Sequence, residues 1–224
     1  DYYTSEWKKL GFQPDGIYTG FLSSEKQVDK ILDFINSFET ENTLVLVDPV
    51  MGDGGRTYSL FTDTLACKMK KLVTVADVIT PNLTECCILC DVDYCEFIKN
   101  ADKPDFLDKI AELGKNLLNR YGVKIVIITG IEHKDIDGTM YVQNLIASKD
   151  EVFSVSCKKI GGSYSGTGDL FASVMFSGLL RGDTLRDTVS LAVKFIETSL
   201  RDTVALGIDR NEGIEFEKHL KILL

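Results

Sequence analysis

The chain has 224 residues, of which 44% are hydrophobic and 26% charged, with 25 basic against 34 acidic side chains and a net charge of -9. That is enough apolar material for one large α/β domain. The acidic balance repels phosphate backbones and anionic lipid, so no nucleic-acid partner and no membrane partner is expected. The opening Asp1-Tyr2-Tyr3-Thr4-Ser5-Glu6-Trp7 has no basic segment followed by an apolar one, and no stretch approaches bilayer-spanning length. It lacks Met and reads as the inside of a polar helix, so the chain reads as a fragment of a longer product.

In chain order, Ser23 or Ser24 can cap a helix with Val28, Ile31, Leu32, Ile35 and Phe38 in one apolar stripe. The run 43–47 (Thr-Leu-Val-Leu-Val) is continuous, as in strands covered on both faces. Thr62 can cap a second helix with Leu65, Met69 and Leu72 inward, and 78–80 is a short strand stopped by Pro81. A helix is predicted over 105–121 and closed by Gly122, followed by a buried strand over 123–128. Stretches 139–147 and 152–157 alternate enough to form an antiparallel pair around Ser148-Lys149-Asp150. Helices near 167–181 and 184–199 and a charged amphipathic one complete the chain. Strands separated by such helices predict a doubly wound, mostly parallel α/β sheet with helices on both faces, in one domain over 1–224. Ligands of such sheets sit outside the carboxyl ends of the strands.

Four of the six cysteines, Cys86, Cys87, Cys90 and Cys95, cluster. A zinc ribbon needs a second distant Cys or His pair, which is missing, so packed, reduced thiols are the better reading. That implies a cytoplasmic setting. His133, in a polar loop, and His219, near the C-terminus, read as solvated, which leaves no convincing histidine for a hydrolase.

The sharpest motif is Gly161-Gly162-Ser163-Tyr164-Ser165-Gly166-Thr167-Gly168-Asp169, opening an apolar helix. Backbone N–H groups and the positive end of a helix dipole would meet an anion there. Asp169 could take the proton of an attacking hydroxyl; alternatively, it only caps the helix. No Lys-Ser or Lys-Thr follows, so this is no Walker motif. The second motif is Asp48-Pro49-Val50-Met51-Gly52-Asp53, directly after the strand 43–47. Its two carboxylates can hold a divalent cation, or Asp53 can belong to an ordinary turn. In Thr80-Pro81-Asn82-Leu83-Thr84-Glu85, Asn82 and Glu85 have the spacing of a capping box, which taken alone is the better reading. Thr129-Gly130, read as following its strand, could reach a phosphate.

These pieces, with Thr19-Gly20-Phe21, resemble the ribokinase-like superfamily, most closely its pyridoxal (pyridoxine/pyridoxamine) kinase branch, from about Ile17 to Ala205. The resemblance implies a kinase that uses ATP with Mg²⁺ and K⁺ to phosphorylate a vitamin B6 alcohol, working as a homodimer. It implies Asp169 as catalytic base and the N–H groups of Gly166, Thr167 and Gly168 as anion hole. Asn82 and Glu85 would organise metal, water and ATP phosphates. Asp48, Thr80 and Glu85 match the cation sites, Asp53 and Tyr58 lie near the nucleotide, and Thr129 matches a phosphate contact. Phe21 stands where relatives place an aromatic beside the pyridine ring. The family's N-terminal strand and flap are not in this chain, and residues 161–165 depart from its pattern. The rival readings are a hydroxymethylpyrimidine kinase, whose relatives usually carry Cys at position 169, and a non-catalytic nucleotide-binding relative.

Overall fold

The computed structural model describes residues 2–224. In chain order the elements are α1 (Tyr2–Lys9), β1 (Gly16–Thr19), α2 (Glu25–Phe38), β2 (Leu44–Val47), β3 (Gly52–Asp53), β4 (Arg56–Thr57), α3 (Asp63–Val73), β5 (Val78–Ile79) and α4 (Leu83–Cys90). They continue with α5 (Tyr94–Ile98), α6 (Phe106–Tyr121), β6 (Ile125–Lys134), β7 (Met140–Ser148), β8 (Val152–Lys158), α7 (Thr167–Arg181), α8 (Leu185–Leu206) and a 3₁₀ helix (Glu217–Leu223). The main sheet has the order β1-β2-β5-β6-β7-β8, while β3 and β4 form a separate hairpin. The pairs β1–β2, β2–β5 and β5–β6 are parallel, so the sheet is mostly parallel, as expected.

The chain falls into two compact units, one comprising residues up to Ile128 together with Ile146–Val152, the other Thr129–Leu145 with Phe153–Leu224. In the first, Val45, Leu46, Val47, Val78, Ile79, Val126, Ile127 and Ile128 are fully buried. This is why their sequences read as continuous apolar runs rather than alternations. Around them α2 packs on α3, and α4 on α6. Thr62 caps α3 by accepting the Leu65 N–H at 3.1 Å, and Gly122 closes α6 at φ 73. Ser24 is the N-cap of α2, but its side chain makes no capping bond. Gln27 instead reaches back to accept the N–H and hydroxyl of Ser23. The ring of Trp7 lies against Phe34, Phe38 and Phe12, which ties α1 to α2.

In the second unit, α7 packs on α8 at a glycine. A Cβ on Gly178 would lie 2.5 Å from Thr188 Cγ2. Gly178→Ala is therefore expected to force the helices apart at a cost of about 1–3 kcal/mol, read by chemical denaturation, whereas Gly162→Ala, with open space around it, should change little.

Three expectations need correction. β6 does not stop at 128 but runs on to Lys134, with Gly130 at φ 70 as an irregular point inside it. His133 therefore lies in a strand, stacked on Tyr141. Second, α8 continues to Leu206, because Ser199 and Thr203 bond their hydroxyls to the carbonyls of Phe195 and Ser199 and so enter the helix interior. Third, the C-terminal segment is a 3₁₀ helix, and His219 approaches Asp202 of α8 at 3.0 Å instead of standing free.

Candidate active site

In the first unit, β1, β2 and β5 end level with one another, with Thr19 opposite Val47 and Val47 opposite Ile79. Asp48 and Thr80 are the next residues, held by N–H bonds from Asp48 to Thr19 O and from Thr80 to Val47 O. Both are buried, and the Thr80 hydroxyl has no partner among the described residues. The chain after Asp48 turns back as the β3–β4 hairpin, whose two-residue turn puts Gly54 at φ 57 and Gly55 at φ 79. Such a turn requires left-handed backbone at both central positions, which explains the Gly-Gly.

The N-terminus of α4 fastens this hairpin. Asn82 and Glu85 form the full capping box: Asn82 Oδ1 accepts the Glu85 N–H at 3.0 Å, and Glu85 Oε2 accepts the Asn82 N–H at 2.8 Å. Each also reaches the loop. Asn82 Nδ2 donates to Gly52 O at 2.8 Å, and Glu85 Oε1 accepts the Met51 N–H at 3.0 Å. Thr84 Oγ1 accepts the Gly55 N–H at 2.9 Å, a tie the sequence offered no reason to single out. Asn82→Ala removes the cap and a buried partner of Gly52 together. A loss of about 1–3 kcal/mol is expected on urea unfolding, larger than an exposed cap would give.

Glu85 is 3% exposed. Burial first and then the neighbouring Asp48 push its carboxyl up to about 8, the N–H groups of Asn82, Met51 and Gly52 offsetting only part of the rise. Tyr58, half-exposed after β4, is raised by burial and then by Asp53, Glu85 and Asp48. The hairpin thus gathers the acidic side chains of Asp48, Asp53 and Glu85 near the Tyr58 hydroxyl. A hard divalent cation fits this donor set: two carboxylates that raise each other's energy and a buried hydroxyl at Thr80 without a partner. No group of three or more His, Cys, Asp or Glu that could hold a metal ion is found among the described residues. Phe21 follows β1 with its ring half in solvent.

In the second unit, Gly166 is the N-cap of α7 at φ 82 and has no side chain to satisfy the first-turn amides. Thr167 donates its hydroxyl to Tyr164 O, and the Ser165 N–H donates to Arg210 O, so the loop is pinned on both sides. Asp169 is exposed in the first turn and is not the cap. Beside it opens a cleft of about 380 Å³ lined by Ser165, Gly166, Leu170, Ile214 and Phe216 among others. The contribution of residues 208–217 had no signal in the sequence. Thr129 lies within β6, not in a loop after it. The thiols at 67, 86, 87, 90, 95 and 157 are all free, and Cys86 and Cys87 are buried on α4.

A family model, phosphomethylpyrimidine kinase, matches residues 9–213. The chain belongs to the phosphomethylpyrimidine kinase family. Among the relatives, a provisionally named pyridoxal kinase of Schizosaccharomyces pombe is 30% identical over 172 residues, which make up 75% of this chain and 47% of that protein. The hydroxymethylpyrimidine/phosphomethylpyrimidine kinase of Staphylococcus aureus MSSA476 is 27% identical over 198 residues, 88% of this chain and 66% of its own. The chain thus spans about half to two-thirds of these relatives. A provisionally named phosphomethylpyrimidine kinase of Bacteroides thetaiotaomicron, crystallised in an orthorhombic form with pyridoxal, superposes with a TM-score of 0.87 at 36% identity, covering 99% of this chain and 75% of that one. The fold of the family, a mixed α/β architecture of the ribokinase-like kind, is the fold of this chain.

Proposed function

We propose that the chain carries the phosphoryl-transfer machinery of a vitamin B6 kinase, moving the γ-phosphoryl group of ATP to the 5′-hydroxymethyl of pyridoxal, pyridoxine or pyridoxamine. The observation that supports this most is the first turn of α7. A glycine cap leaves amides open to an anion, and an exposed carboxylate without a capping duty stands on the same turn. Asp169 takes the proton of the acceptor alcohol as its oxygen bonds to the γ-phosphorus. The bond from that phosphorus to the bridging oxygen breaks, and ADP leaves with the electron pair. The Gly166, Thr167 and Gly168 amides hold the charge on the transferring group. In the first unit, Asp48, Thr80 and Glu85 would hold Mg²⁺, which when bound offsets charge on the ATP phosphates. Asp53, Tyr58 and Asn82 line the nucleotide side, and Phe21 offers its ring to the pyridine. Thr129 is assigned to the phosphates by resemblance alone.

The pyrimidine reading has support in the family name and in the staphylococcal relative. Asp169 favours B6, since the pyrimidine relatives usually place Cys there. Purified chain with ATP and either pyridoxal or hydroxymethylpyrimidine, analysed by mass spectrometry, separates the readings. Phosphorylated pyridoxal is expected in excess. Product from the pyrimidine alone overturns the B6 assignment, and no product with retained ATP binding favours the non-catalytic relative.

A further inference from the structure

Arg56 stands on β4 directly opposite Asp53 of β3. Side chains directly opposite in an antiparallel ladder share a face, as do residues two apart along a strand. The ladder continues one step, since the Tyr58 N–H donates to Met51 O at 3.1 Å. Asp53, Arg56 and Tyr58 therefore lie on one side of the hairpin. That side adjoins the buried carboxylates, because Tyr58 feels the charges of Asp53, Glu85 and Asp48.

Arg56 is nevertheless uncommitted. Arg120, Arg181 and Arg201 each close on a carboxylate, of Asp91, Asp183 and Glu197 respectively. Arg56 is exposed and has no ion pair or hydrogen bond among the described residues. Its cross-strand neighbour Asp53 spends a carboxylate oxygen on the Gly54 N–H at 2.8 Å. The backbone that carries the arginine is anything but loose, being tied to α4 through Asn82, Thr84 and Glu85. A free guanidinium on a fixed hairpin, beside an anionic cluster suited to a cation, matches a ligand of both signs: a polyphosphate with its metal.

We infer that Arg56 is a positioning residue for the terminal phosphates of a metal-bound nucleoside triphosphate. The inference rests on the nucleotide reading above and adds to it a residue that the motifs do not mark. A guanidinium forks onto two phosphate oxygens, whereas an ammonium meets them as a point charge.

Isothermal titration of parent, Arg56→Ala and Arg56→Lys with ATP, ADP and AMP in Mg²⁺ tests it. Arg56→Ala should weaken ATP by about tenfold, ADP less, and AMP not at all, with an unchanged melting temperature, and Arg56→Lys should recover part of the loss. ATP affinity of Arg56→Ala within about twofold of the parent's, or an equal loss for AMP, overturns the assignment while the nucleotide reading stands. A parent chain that binds no ATP overturns that reading and this residue's role with it.

Discussion

Asp169→Asn should lower the rate of pyridoxal phosphorylation by about 10²–10⁴ while leaving ATP affinity and the fold nearly unchanged. The size of the kinetic effect follows from the role. An amide keeps the shape of the carboxylate but cannot accept the alcohol proton as the new bond forms. The weakness of every other effect follows from the surroundings. Asp169 is exposed, the cap of its helix is Gly166, and no hydrogen bond among the described residues depends on its side chain. The only structural loss is a favourable charge at the positive end of α7, worth about 0.3–1 kcal/mol. Single-turnover rates beside ATP titration make the comparison. Turnover near the parent rate would transfer the base role elsewhere. Loss of ATP binding in step with loss of rate would make Asp169 a binding group instead.

The ease with which parts of this site could be read off the chain depends on how local their causes are. The capping box needs only Asn82 and Glu85 three residues apart, and it is present. The glycine-capped start of α7 is equally local. What could not be read is where those groups reach next. Both Asn82 and Glu85 bond residues about thirty positions away on the hairpin, and no periodicity encodes such a tie. Capping and site-building are thus one arrangement here, although in sequence they look like competing explanations.

Short elements escaped for a different reason. β1 is four residues long with a half-buried pattern, and β3 and β4 have two residues each. Such lengths give no hydrophobic period to detect. In the sequence Thr129 reads as following its strand and His133 as part of a polar loop, yet β6 runs through both. In α8, buried Ser199 and Thr203 interrupt the apolar stripe and hide the last two turns, although their hydroxyls are satisfied within the helix.

The metal-free chain should lose stability as pH rises from about 5 to 8.5, and Glu85→Gln should remove much of that slope. The carboxyl of Glu85 sits at about 8 in the fold against 4.5 for the free group, because burial and then Asp48 disfavour its charge. Between those two values the native chain holds a proton that the unfolded chain releases. Unfolding is therefore increasingly favoured with pH: the contribution is intact below the unfolded value and gone above the folded one. A shift of this size is worth up to about 5 kcal/mol, of which about 4 kcal/mol falls between about pH 5 and 8.5. Gln cannot ionise, but it can accept only one of the two N–H bonds that Glu85 takes from Met51 and Asn82. The variant should start about 1–3 kcal/mol below the parent at pH 5, and the two denaturation curves should converge or cross by pH 8.5. A constant gap across the range would mean that Glu85 ionises like a surface carboxyl. Added Mg²⁺ supplies the discriminating control. If Asp48 and Glu85 share a cation, it should restore the parent at high pH and do little for Glu85→Gln, since an ionised Glu85 is then stabilised by the charge that Asp48 alone denies it.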